Sequence, residues 1–204
     1  MKALVLLVLM VASLLGGPLS VHAAEASQSQ FSGQFAHGYS ASSESDCIAT
    51  DVYVSAFDGR ISYDPGQPAV DSFAYLSISR YNSCTGEWLG SLDASGPLAA
   101  DAFQVDRRLN TATLRTTLTA YDWSSGTEQL LNVNVSWTGD GELIRSRSSW
   151  GYSPPGFRVN GHYIGSERPA GLAGTISNGS DLTLNLSGAG SIGSAKSGSV
   201  SISH

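Results

Sequence analysis

Lysine is almost missing from this chain. Only Lys2 and Lys196 occur among 204 residues, and nine arginines supply the remaining positive charge. Charged residues of both signs make up 14% of the chain and sum to −6. A chain this acidic repels phosphate backbones, so nucleic acid is not an expected partner. Cysteine is scarce too. Cys47 and Cys84 form no CxxC unit and have no histidine beside them, which argues against a closed zinc centre or a redox pair. Histidine is limited to His22, His37, His162 and His204, and no Gly-x-Ser-x-Gly elbow surrounds any serine. A serine triad therefore has no visible sequence support. No metal and no cofactor are expected.

Long apolar runs are missing except at the start. Ala3 to Leu15 is apolar apart from Ser13 and follows the positive Met1-Lys2. That is signal-peptide length, short of the roughly 20 residues a spanning helix needs. Gly16-Gly17-Pro18 breaks it, and Val21-His22-Ala23-Ala24 offers small-x-Ala cleavage sites. We expect residues 1–23 to be a signal peptide, cleaved after Ala23 or Ala24. The mature protein is then secreted, periplasmic or extracellular, with no membrane span. In an oxidising compartment two cysteines read as a disulfide, Cys47 with Cys84.

A helix of convincing length is absent after the leader: Phe31, Phe35 and Tyr39 stand four apart, but Gly33, Gly38 and many serines weaken a helix there, and Ala99–Val105 suits a short helix or a strand. Glycine, serine and threonine abound, and short runs alternate between apolar and polar residues. Val52, Val54 and Ala56 alternate with Tyr53, Ser55 and Phe57. Leu131, Val133, Val135 and Trp137 alternate with Leu130, Asn132, Asn134 and Ser136. Period two marks half-buried strands. The expected fold is all-β: a single-domain antiparallel β-sandwich or barrel-like fold of many short strands and hairpins.

Residues 24–46 read as an irregular N-terminal arm or an edge strand, and 47–204 as the domain. Asp58-Gly59 reads as a hairpin turn, with Ile61 and Tyr63 starting a return strand. Ser187–Gly198, mostly glycine, serine and alanine, reads as a flexible or extended loop. Two stretches share a turn chemistry: Tyr81-Asn82 ahead of Thr85-Gly86, and Tyr121-Asp122 ahead of Ser125-Gly126. In each, Asn or Asp bonds its own backbone and Gly takes a positive φ.

The densest candidate site is Arg145, Arg147, Trp150, Tyr152, Arg158, His162 and Tyr163. Arg145 and Arg147 share a strand face, as do Arg158, Asn160 and His162. Paired about Ser153-Pro154-Pro155-Gly156, they would bring two polar rows together, flanked by rings. Arginine binds carboxylate or sulfate through paired hydrogen bonds, and rings stack on sugars or cations. The expected partner is a carbohydrate or an anionic extracellular ligand. Asp140 and Glu142 read as turn residues, and the acidic turns lack calcium-loop spacing. The leading expectation is a non-catalytic extracellular binding or surface module. The alternatives are a structural or matrix component and a polysaccharide hydrolase.

Charge is unevenly spread. Residues 25–106 hold 11 acidic and 2 basic residues, net −9, while 107–204 hold 6 acidic and 8 basic, net +2. This suits either two faces with different partners or simple cross-sheet pairing.

Overall fold

The structure is a computed structural model that describes residues 26–45, 47–62, 72–155 and 157–203. The segment expected to be a signal peptide, the Asp64-Pro65-Gly66 stretch with the expected strand start at Tyr63, and Gly156 lie outside them. Among the described residues there is no helix. Ten strands are present: β1 (Ala26–Ser45), β2 (Ile48–Ser62), β3 (Phe73–Asn82), β4 (Trp88–Pro97), β5 (Phe103–Val105), β6 (Thr111–Asp122), β7 (Thr127–Gly139), β8 (Ile144–Tyr152), β9 (Phe157–Ser177) and β10 (Thr183–Ser203).

All pairings are antiparallel and mostly join sequence neighbours, in the order β10-β1-β2-β3-β4-β6-β7-β9-β8. β10 also pairs with β9, so the hydrogen-bonded path closes on itself. Eight strands form that ring. An eight-stranded barrel has an interior that side chains can just fill, and here they do. Leu131, Val133, Val135 and Trp137 of β7 are buried, as are Val52, Val54 and Ala56 of β2. They join Leu76, Ile78, Leu114, Leu172, Ile176 and Ile192 in one core. Burying each large aliphatic side chain contributes about 1.5–3 kcal/mol.

Both shared turns form as their chemistry requires. Asn82 Oδ1 accepts from the Cys84 and Thr85 amides, and Gly86 takes φ +76°. Asp122 Oδ1 accepts from the Ser124 amide at 2.8 Å, and Gly126 takes φ +70°. Cys47 and Cys84 form the disulfide, with Cα atoms 5.2 Å apart. It ties the start of β2 to the β3–β4 turn.

Three expectations are corrected. Ala26–Ser45 is no irregular arm and no edge: β1 pairs with β2 on one side and β10 on the other. Asp58-Gly59 makes no turn, because β2 runs through it to Ser62, paired with β1 to Gln30. Gly59 is needed there for close approach: a Cβ would lie 2.3 Å from the Ser32 carbonyl oxygen. Ser187–Gly198 is no loop but the middle of the 21-residue β10.

β1, β9 and β10 are twice as long as the barrel is deep. The core row Ala56–Ala36–Ile192–Arg168 marks where the filled interior ends. Beyond it β2, β1, β10, β9 and β8 continue as a five-stranded apron.

Candidate functional site: the inner face of the apron

Strand alternation puts successive side chains on opposite faces. Arg168 is in line with the core row, so the even-numbered residues of β9 continue the barrel's interior side. Arg158, Asn160, His162 and Ile164 lie on that inner face. β8 pairs Arg145 with Ser166, Arg147 with Ile164 and Ser149 with His162. Arg145 and Arg147 therefore share the inner face with Arg158 and His162, as the sequence suggested. Every residue of β8 is exposed.

The rings take the other side. Trp150 lies over Gly161, and Tyr163 over Gly165, where an added Cβ would come 2.3 Å from the Trp150 ring and 2.3 Å from the Tyr163 hydroxyl. Tyr152 pairs with Val159 on the same outer face. The expectation of arginines flanked by rings is thus corrected: the arginines and these three rings occupy opposite faces of the hairpin. The cause is strand alternation, because Arg145 and Arg147 are odd and Trp150 and Tyr152 even on one strand.

The structure also adds two residues that the sequence reading passed over. Arg60 of β2 pairs with Ser32, Ser32 with Lys196, Lys196 with Ile164, and Ile164 with Arg147. This is one straight row across five strands, on one face. At about 4.8 Å per strand, its three cations stand about 10 Å apart. Two grooves flank Lys196. One, about 470 Å³, is lined by Gln30, Ser32, Asn160, His162 and Gly198 among others. The other, about 350 Å³, is lined by Gln34, Ile164, Ser166 and Ser194 among others. No carboxylate lines either groove. His162 spreads over Gly198, which has no side chain to lift it. Arg60 and Lys196 lie 136 positions apart in the chain. Only the closing β1–β10 pairing brings them into one row, and nothing local in the sequence signals it.

A second polar cluster, on the outer face, was also not legible. The Ser191 hydroxyl donates to Glu167 Oε1 at 2.5 Å and lies 3.4 Å from both ring nitrogens of His37. A catalytic triad places imidazole between hydroxyl and acid. Here the hydroxyl is in the middle and its proton goes to the carboxylate, so the cluster does not have the order of a triad. Among the described residues no three His, Cys, Asp or Glu side chains converge as metal ligands. No helix among them is long and apolar enough to cross a membrane.

No protein-family model matches the chain, and no curated protein does. Among solved structures, it resembles one provisionally assigned as AttH from Nitrosomonas europaea, with 10% sequence identity and a TM-score of 0.34. The likeness covers 86% of this chain and 51% of that one, so the chain spans about half of that protein's length. A superposition this loose carries no argument about function.

Proposed function

We propose that this chain is a non-catalytic extracellular binding module for an acidic polymer, in the first place an acidic polysaccharide. The observation that supports it is the Arg60–Lys196–Arg147 row. Three cations about 10 Å apart, on a polar floor of Ser32, Gln34 and Ser194, suit a chain with one carboxylate or sulfate per short repeat. Arg145 and Arg158 extend the positive field to either side of the row. A DNA duplex carries a charge per about 1.7 Å, a density this row does not match. Grooves without a carboxylate lack the acid–base pair of a glycosidase. Export through residues 1–23 belongs to this reading, and N-terminal sequencing of secreted protein tests it.

Calorimetric titration with polygalacturonate, against neutral dextran as control, tests the binding. We expect polygalacturonate alone to bind, with affinity falling as salt rises. Arg147→Ala and Lys196→Ala should each weaken it about tenfold, the loss of one charge-assisted contact. Equal binding by the triple variant R60A/K196A/R147A, with folding intact by circular dichroism, would refute the proposal.

A further inference from the structure

A second surface lies on the outward side of the barrel wall, sharing no residue with the apron row. Tyr39 pairs with Tyr53, Tyr53 with Ser77, Ser77 with Asp93, and Asp93 with Tyr121. Directly opposed residues share a face, so these five cross β1, β2, β3, β4 and β6 as one belt. Asp93 is held from both sides. Trp123 Nε1–H donates to its Oδ2 at 2.7 Å, and the Tyr75 hydroxyl to its Oδ1 at 3.3 Å. Tyr39 hydrogen-bonds to Asp51 in the same way, which pushes the Tyr39 hydroxyl up to about 12.

The polar ends of these rings are thus turned towards two carboxylates, and their faces are left open. Trp123 is 60% exposed and Tyr39 48%. Tyr121 and Trp123 meet edge to face at 4.9 Å, and Tyr53 and Tyr75 are tilted at 52° with centroids 6.0 Å apart. The nearest basic side chain on this side of β6 is Arg115, about 20 Å along the strand from Tyr121. An ionised carboxylate accepts through about four lone-pair sites, so Asp93 keeps acceptor capacity after its two bonds.

We propose that this belt docks a basic, extended polypeptide segment. Rings around an anion attract guanidinium or ammonium groups through the ring faces and the carboxylate together. Strand spacing places Asp51 and Asp93 about 12 Å apart, two strands and one side-chain repeat. Two arginines four residues apart on an extended chain span about 13 Å. Among the described residues no cation of this face lies nearer along β6 than Arg115, so the complementary charge lies on the partner; Asp51 Oδ1 is buried, and Asp51 acts through its charge while Asp93 offers the open acceptor.

The probe is the capped peptide Arg-Gly-Ser-Gly-Arg, titrated into the full mature chain at low salt and followed by tryptophan fluorescence. The same peptide with glutamine for arginine is the neutral control. We expect saturable binding of the arginine peptide only, weakened at least fivefold by Asp93→Asn and by Trp123→Ala. Asp58→Asn, an acid off the belt, and Arg147→Ala, in the apron, should leave it unchanged. An effect of Asp58→Asn equal to that of Asp93→Asn would mean diffuse charge attraction and overturn the site. So would equal binding of the glutamine peptide, or an equal response to cellohexaose, which would make the belt a sugar platform. Self-association of the chain abolished by Asp93→Asn would make a second copy the occupant and overturn the proposal of a foreign segment. Should Trp123→Ala not fold, Asp93→Asn, an isosteric change at a half-buried carboxylate, still decides the matter. Failure of polygalacturonate binding leaves this test untouched, because the two surfaces share no residue.

Discussion

His37 stands on the outward side of β1, stacked on Phe35 at 6.3 Å and beside Ser191. Burial lowers its pKa below the usual 6.5, while Glu167, the charged group facing it, raises it in part. The net shift is downward, so the unfolded chain takes up the proton first. Stability from this residue is full above about pH 6.5 and declines as pH falls towards the folded-state value. We expect the melting temperature of the wild type to drop more between pH 7 and pH 5 than that of His37→Gln. Parallel pH profiles for the two proteins would show burial of neutral histidine to be irrelevant. Asn178 makes a comparable local point. Its Oδ1 accepts from the amides of Ser180, Asp181 and Leu182, and its Nδ2 donates to Gln129. The glycosylation-like Asn178-Gly179-Ser180 motif therefore has its acceptor nitrogen in use inside a turn.

Strands differ in how they tolerate added bulk. At Gly190 of β10 an added Cβ would lie 2.0 Å from the His37 carbonyl oxygen, while at Gly193 it would lie 2.3 Å from the Phe35 ring. A ring can rotate away, whereas a backbone paired on both sides cannot. Gly193→Ala should cost about 1–3 kcal/mol as ordinary overpacking. Gly190→Ala should cost more, read as the difference in urea midpoint between the two variants. The same glycines explain what the sequence hid. β7 was legible because Leu131, Val133, Val135 and Trp137 alternate with polar residues, and the strand is buried on one face only. β10 was not, because glycine and serine are poor strand formers. It is a strand because β1 and β9 pair along both of its sides, and glycine lets their backbones close in. Asp58-Gly59 misled for the converse reason. A good turn dipeptide was overridden by continuous pairing with β1. At the site, the shared face of Arg145 with Arg147 was legible from period two. The opposite placement of Trp150 follows from the same alternation, since it stands at an even position of the strand that carries Arg145 and Arg147 at odd ones. The arrival of Arg60 and Lys196 depends on long-range register, which no local pattern carries.

Across the whole molecule, the basic residues concentrate on the apron's inner side, where Arg60, Arg145, Arg147, Arg158 and Lys196 outnumber the single acid among the described residues there, Asp58 opposite Gln34. The outward side of the barrel wall carries Asp51 and Asp93 among its rings. The disulfide braces the acidic side by tying the start of β2 to the β3–β4 turn. The chain-entropy model gives about 4 kcal/mol for a loop of this length. Cys47→Ser/Cys84→Ser should lower the unfolding free energy by up to that amount, measured by denaturant titration. Intact mass after alkylation without reductant should show no added label, and two labels would exclude the bridge.

The ring of pairings closes between strands from opposite ends of the described chain, with Ala26 against Ile202. Every other seam of the wall joins strands close in sequence. Contacts that join distant parts of a chain pay the largest loop entropy and form slowly. During refolding, amides of β1 and β10 that bond to each other should gain protection from pulse-labelled hydrogen exchange after those in the β1–β2 and β9–β10 pairings. Until then the two longest unpaired edges belong to strands rich in glycine and serine and poor in large apolar residues. The half-built wall thus exposes edges rich in glycine and serine, a composition that disfavours pairing with another copy before the seam closes.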